Sequence, residues 1–240
     1  MKSVLVFTPT YNEKNNIEKW LDAVASQISS DILVVDDSSS DGTAEFLASK
    51  TKEMKQLEVI TRDSKSGIGS AHLLALKLAF DKSYDYLITL DADLSHNPQD
   101  IPRFLEAIKS ANYVVGTRSR GGRTELSGFR LILSKGANLV CRVILPTGLS
   151  EYTTAYRCYD REAMDSLISN SPKDEGYSYF IEATDILYRS GVKISEIPIV
   201  FRDRLEGESK IPSLQVFRTA IKIFRLTLGR IKWYLLGDRK

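Results

Sequence analysis

The sequence has little of what braces small or secreted scaffolds: its 240 residues include 2 Cys and 2 His. Cys141 and Cys158 form no CxxC pair, and His72 and His96 complete no zinc-ligand spacing, so neither a disulfide framework nor a structural zinc is expected. A reducing, cytosolic setting is the default for such a chain. Long apolar runs are lacking as well. Val4-Leu5-Val6-Phe7, behind Met1-Lys2-Ser3, is too short for a signal peptide, and no stretch approaches the roughly 18 apolar residues that span a bilayer. There is no excess of one charge: Lys and Arg number 33 against 31 Asp and Glu, a net +2 that does not mark a nucleic-acid binder.

The balance is uneven along the chain. From Ile211 to Lys240 seven basic residues (Arg218, Lys222, Arg225, Arg230, Lys232, Arg239, Lys240) face one acid, Asp238. In the same stretch Leu214, Phe217, Ile221, Phe224, Leu228, Ile231 and Leu235 recur at three- and four-residue spacing, which predicts one apolar helical stripe flanked by cations. Such a helix suits the headgroup boundary of a membrane, and equally a docking site on the enzyme itself or on a partner subunit.

What is present is an alternation of short β-branched runs with segments of helical period, the signature of crossover units on a mainly parallel sheet. Strands are expected at Val4–Thr8, Ile32–Val35, Leu57–Ile60, Tyr86–Leu90, Tyr113–Gly116 and Ile194–Phe201. Helices are expected at Glu13–Gln27, after Gly42, at Ile68–Ala79, Pro102–Ser110, Gly128–Val143, Arg161–Ile168 and Tyr179–Tyr188. Gly121-Gly122-Arg123-Thr124 reads as a mobile loop. One α/β catalytic domain over residues 1–210 and a basic helical tail over 211–240 follow from this pattern.

In a doubly wound sheet, ligands bind outside the carboxyl ends of the strands, and polar clusters fall there. Pro9-Thr10-Tyr11-Asn12-Glu13 comes after the first strand, and Asp36-Asp37 with Asp41-Gly42-Thr43 after the second. Carboxylates there can accept from a ribose or base, and the Tyr11 ring can stack on a base; Asp41 serves equally well as a helix cap and Asp36/Asp37 as a turn. Asp91-Ala92-Asp93 closes the strongly apolar fourth strand, where two carboxylates two positions apart can converge on Mg2+ or Mn2+ and neutralise a diphosphate. Arg118, Arg130, Lys135, Arg157, Arg204 and Lys210 are the cations that could face anionic ligands, although each taken singly could be a solvated surface charge.

Together these residues resemble family 2 glycosyltransferases, and within them the polyprenol-phosphate (dolichol-phosphate) mannose synthases. The resemblance runs from about Val4 to Lys210. It rests on Pro9-Thr10-Tyr11-Asn12-Glu13, Asp36-Asp37-Ser38, Asp41-Gly42-Thr43, Asp91-Ala92-Asp93-Leu94-Ser95-His96, Gly116-Thr117-Arg118, Ser134-Lys135-Gly136-Ala137-Asn138 and Gly207-Glu208-Ser209-Lys210. It implies a GT-A fold and inverting transfer of a hexose, with GDP-mannose the favoured donor and polyprenyl phosphate the acceptor. It further implies that Pro9, Tyr11, Glu13, Asp37 and Asp41 hold the nucleotide, and that Asp91, Asp93 and Ser95 lie at the metal and diphosphate. Arg118, Arg130 and Lys135 match the acceptor-phosphate side, and Arg204 and Lys210 a loop that closes over the donor.

The chain departs from the pattern at Glu151-Tyr152-Thr153-Thr154-Ala155-Tyr156-Arg157, where the family usually reads Asp-x-Thr-Ser-Gly-Phe-Arg. The extra methylene of Glu151 and the methyl of Ala155 reshape a pocket wall. The expected setting is peripheral, on the cytoplasmic face of a membrane. Alternatives are UDP-glucose or another donor, a non-lipid acceptor, a nucleotidyltransferase, and a non-catalytic nucleotide-sugar sensor. Against the nucleotidyltransferase, no glycine-rich, arginine-containing phosphate loop follows the first strand, where Pro9-Thr10-Tyr11-Asn12-Glu13 stands.

Overall fold

The computed structural model describes residues 2–202, apart from the side chains of Phe129 and Arg130. Arg204, Lys210, the amphipathic segment from Leu214 and the expected boundary at residue 210 lie outside the described residues.

Seven strands form the main sheet: β1 (Val4–Thr10), β2 (Asp31–Asp36), β3 (Leu57–Thr61), β4 (Tyr86–Thr89), β5 (Tyr113–Thr117), β7 (Arg157–Asp160) and β8 (Ile194–Pro198). Their order is β3-β2-β1-β4-β7-β5-β8. The pairs β3–β2, β2–β1, β1–β4 and β5–β8 are parallel, whereas β7 runs antiparallel to both β4 and β5. The winding reverses at β1, which places a crevice beyond the ends of β1 and β4, the position where open α/β sheets bind ligands.

The central strands are apolar on both faces because helices cover both. On one side α1 (Lys14–Ala25) buries Ile17, Trp20, Leu21 and Val24 against Val6, Ile32, Val34 and Ile88. On the other, α3 (Ile68–Asp81) and α7 (Tyr179–Arg189) pack on Phe7, Leu33, Val35 and Leu87. His72 belongs to this second core; its ring meets Phe7 and Phe180 edge-on, and burial pushes its pKa down to about 3, so it is neutral. The remaining helices are α2 (Thr43–Lys50), α4 (Ile101–Ala107), α5 (Gly128–Ile144) and α6 (Arg161–Ser169).

Three features differ from the sequence expectation. The four-residue β7 was not expected, since it opens on an arginine and offers no alternating pattern. The run expected as one strand from Ile194 to Phe201 divides into β8 and β9 (Val200–Phe201), and β9 pairs with β6 (Arg123–Thr124) inside the expected mobile loop. Gly122 allows that turn: a Cβ there would lie 2.0 Å from the Thr117 carbonyl oxygen.

The third difference corrects the reading of Arg157 as a cation facing ligand. Arg157 is fully buried. Its guanidinium donates to the carbonyls of Thr154 (2.8 Å), Tyr152 (2.7 Å) and Phe180 (3.0 Å), to Thr184 Oγ1 (3.0 Å) and to the Tyr113 hydroxyl. The Phe180 ring lies 4.7 Å away. Its charge is solvated by carbonyl and hydroxyl dipoles, and no carboxylate pairs with it among the described residues. Arg157→Leu strands several buried acceptors at once and is expected to lower unfolding free energy by about 3 kcal/mol or more, read from urea denaturation.

Candidate active site

The loops after β1 and β2 are welded together before any ligand arrives. Asp36 is buried and accepts from Thr10 Oγ1 (2.7 Å), the Ser39 amide (2.9 Å) and Ser39 Oγ (2.6 Å). The Asn12 amide donates to Ser39 Oγ, and the Ser40 amide to Asn12 Oδ1, each at 2.8 Å. Asp41 accepts from the Lys14 amide (3.1 Å) and from the amide and hydroxyl of Thr43 (3.0 and 2.5 Å). Partial burial pushes the Asp41 carboxyl up, but the Thr43 hydroxyl and the two amides outweigh this and hold it below the usual range. Asp36 and Asp41 thus shape the loop that presents Pro9, Tyr11, Glu13 and Asp37.

Asp37 is held by Arg62, a residue that the sequence pattern does not single out. Arg62 comes directly after β3, whose register sets Thr61 beside Asp36, so its guanidinium reaches Asp37 while also donating to Ser70 Oγ (2.6 Å) and the Gly67 carbonyl (3.2 Å). Burial pushes the Asp37 carboxyl up, only partly countered by the Arg62 charge. Above the β1 loop, Lys65 Nζ lies 3.8 Å from the centre of the Tyr11 ring, a cation on the surface expected to stack with a base.

Asp91-Ala92-Asp93 lies just past β4 at the crevice. The loop is set by His96, which is buried; its Nδ1 accepts the Asp91 amide (3.2 Å), so Nε2 carries the proton and donates to Thr154 Oγ1 (3.1 Å). Burial pushes the His96 pKa down to about 3 despite the Asp93 charge, so its approach to the Asp91 carboxylate is not an ion pair at neutral pH. Asp93 is buried and accepts the Ser95 amide at 3.0 Å, whereas the Asp91 side chain keeps 31% exposure. Two hard oxygen donors at a strand end fit Mg2+ or Mn2+, which commonly takes one or two carboxylates and completes its shell with water and substrate phosphate. Among the described residues no cluster of three His, Cys, Asp or Glu forms a closed metal cage.

Arg118 lies just past β5. Its Nε donates to Glu151 Oε2 and its Nη2 to Glu151 Oε1, both at 2.8 Å, and Nη2 also reaches Thr153 Oγ1 at 2.6 Å. The guanidinium lies 5.2 Å from the Phe201 ring, and that ring meets His96 edge-on at 5.2 Å. The backbone takes the same path: His96 bridges Phe201, the Arg202 amide donates to Ser95 O (3.0 Å), and the Glu125 amide donates to Phe201 O (2.9 Å). Strand β9 therefore joins the loop after β4 to the loop after β5.

The other expected acceptor-side cations lie on α5. Arg130 falls in its first turn, and Lys135 is exposed. Beside Lys135 is a row of uncovered apolar side chains, Ile132, Leu139, Val140 and Val143, at 67%, 61%, 43% and 80% exposure. The opposite face of α5 is buried through Asn138 and Cys141.

The profile of "Glycosyl transferase family 2" matches residues 5–168. An undecaprenyl-phosphate mannosyltransferase of Micrococcus luteus is 32% identical over 239 residues, 98% of each chain. A polyprenol monophosphomannose synthase of Mycolicibacterium smegmatis is 34% identical over 228 residues, 91% of this chain and 84% of that one. Among solved structures, S. aureus TarS 1-349 superposes with a TM-score of 0.63 at 19% identity, covering 97% of this chain and 66% of that one. The mannosyltransferase PcManGT from Pyrobaculum calidifontis, in complex with GDP-Man and Mn2+, superposes at 0.58 and 19% identity over 96% of this chain and 69% of that one. These two likenesses show the fold, which is GT-A. The profile match over residues 5–168 and the two likenesses above 30% identity, over 98% and 91% of this chain, carry the sequence resemblance to its conclusion: the chain belongs to glycosyl transferase family 2.

Proposed function

We propose that this glycosyltransferase moves mannose from GDP-mannose to a polyprenyl phosphate, inverting the anomeric centre in one in-line displacement. The observation that carries this reading is the likeness, over 98% and 91% of the chain, to two proteins named for mannosyl transfer to a polyprenyl phosphate. The charge arrangement supports it. A sugar hydroxyl acceptor needs a carboxylate to take its proton. The carboxylate beside Arg118 is a poor base. Burial raises the Glu151 carboxyl, but the Arg118 charge and hydrogen bonds from Arg118, Thr153 and Asn138 more than reverse this and hold it down to about 2. A phosphate monoester, with a second ionisation near pH 6, presents an oxygen already negative at neutral pH.

The remaining requirement is electrostatic. Pro9, Tyr11, Glu13 and Asp37 orient the nucleotide, and Asp91 and Asp93, with Ser95 beside them, would hold Mg2+ or Mn2+. When bound, that ion offsets the charge that develops on the leaving diphosphate. The reading assigns Arg118 and Arg130 to the acceptor phosphate, with Lys135 further along α5, and Arg204 and Lys210 to the donor.

No helix among the described residues is long and apolar enough to cross a membrane. The uncovered row on α5 and the basic amphipathic segment 211–240 both fit a bilayer surface, which is where a polyprenyl acceptor resides.

Three outcomes test this reading. Incubated with polyprenyl phosphate and a panel of labelled nucleotide sugars, the enzyme is expected to form labelled lipid from GDP-mannose at least tenfold faster than from UDP-glucose; the reverse preference would refute the donor assignment. Asp93→Ala is expected to lower kcat by about a hundredfold or more, a loss of transition-state charge stabilisation of the order seen when a preorganised group is removed. Activity that survives EDTA would take the metal out of the scheme. In flotation with anionic liposomes the full chain is expected to rise with the vesicles, and a chain cut after Lys210 to do so less; equal flotation would leave residues 211–240 without a membrane role.

A further inference from the structure

Glu151 has no role in the chemistry just described, yet it is among the most heavily hydrogen-bonded side chains near the site. It is 1% exposed. Its Oε1 accepts from Arg118 Nη2 (2.8 Å), Asn138 Nδ2 (2.8 Å), the Thr153 amide (3.0 Å) and Thr153 Oγ1 (2.8 Å), and its Oε2 accepts from Arg118 Nε (2.8 Å). A second carboxylate fixes the backbone that carries it. Glu196, on β8, accepts the amides of Ser150 (2.6 Å) and Glu151 (2.9 Å) and the Ser150 hydroxyl (3.0 Å). Asn138 completes the frame from α5, giving its Nδ2 to Glu151 and taking the Tyr152 amide on Oδ1 at 2.8 Å.

This frame fixes more than the position of a charge. A guanidinium has five N–H donors in one plane. Glu151 and Thr153 occupy the Nε/Nη2 edge, and Phe201 lies against the group at 5.2 Å. Among the described residues Nη1 has no hydrogen-bond partner, so its donors form the edge left for a ligand. The side chain has too little freedom to present any other edge, being 10% exposed and held at three points.

We propose that Glu151 is the positioning residue for Arg118: by gripping its Nε/Nη2 edge it dictates that the acceptor phosphate is met by Nη1, in one orientation, before the acceptor arrives. Thr153 and Asn138 are auxiliaries of the same grip, and Glu196 holds the loop that carries it. The longer Glu151 side chain, where family 2 sequences of this kind usually have Asp, reaches Arg118 from a loop anchored on β8. This role rests on the reading of Arg118 as the acceptor-phosphate contact. Orientation acts on catalysis through the geometry of approach, so a loss should fall on acceptor parameters and spare the donor.

A double-mutant cycle tests this, with steady-state kinetics for polyprenyl phosphate and calorimetric Kd for the nucleotide sugar. Arg118→Ala and Glu151→Gln are each expected to raise the acceptor KM about tenfold while leaving donor Kd within about twofold, as expected for charge-assisted contacts. In the Arg118→Ala background Glu151→Gln should add less than about a twofold further change, because there is no guanidinium left to orient. Effects that multiply, or a Glu151→Gln enzyme with unchanged acceptor KM, would overturn the proposal. If Arg118→Ala leaves acceptor KM unchanged, the assignment of Arg118 to the acceptor fails first, which separates the two claims. Should Glu151→Gln fail to fold, Thr153→Val removes the hydroxyl shared by Arg118 and Glu151. It is expected to raise acceptor KM a few-fold in the native background and not at all beside Arg118→Ala; an equal rise in both backgrounds overturns the grip.

Discussion

The site is assembled by three residues whose backbone is hydrogen-bonded on both sides. Val200, Phe201 and Arg202 pair with Arg123–Glu125 on one edge and with Ser95–His96 on the other. The ends of β4 and β5 are held by their pairings in the main sheet and by the contacts of His96 with Thr154 and of Arg118 with Glu151; this strand adds a backbone link between the two loops that follow them. The Phe201 ring repeats the link in side chains, with the neutral His96 imidazole on one side and the Arg118 guanidinium on another. The loop that carries Arg118 and the loop that carries Asp91 and Asp93 are therefore joined through one strand and one aromatic ring.

Around that strand, buried charges are stabilised in several ways. Asp36 is satisfied by two hydroxyls and an amide, Asp37 by an arginine, and Glu151 by an arginine reinforced with neutral donors. Arg157 has carbonyls and hydroxyls only. Each arrangement is complete without substrate. Dipoles already aimed do not need to reorganise as charge moves, and this is the condition under which electrostatic stabilisation lowers a barrier most.

Much of this is legible from the residues. Apolar runs ending in polar clusters locate β1, β2, β4 and β5, and the order of those ends puts Pro9, Asp37, Asp91 and Arg118 on one rim. Arg157 and Arg62 are not legible, for a common reason. A buried arginine is identified by the acceptors around it, and those of Arg157 come from residues 113 to 184, brought together only by the antiparallel insertion of β7. Arg62 becomes meaningful once the parallel register sets Thr61 beside Asp36. The same limit applies to Asp36 and Asp37: neighbours in sequence at a strand end, they play opposite parts, one sealed under the loop and one turned toward Arg62. Sequence spacing does not say which is which.

The anchoring of Arg202 to Ser95 also fixes where the chain leaves the described fold. Its point of departure is a main-chain hydrogen bond two residues from Asp93, so any residue that keeps its amide N–H can supply the tie and only a proline at position 202 would undo it.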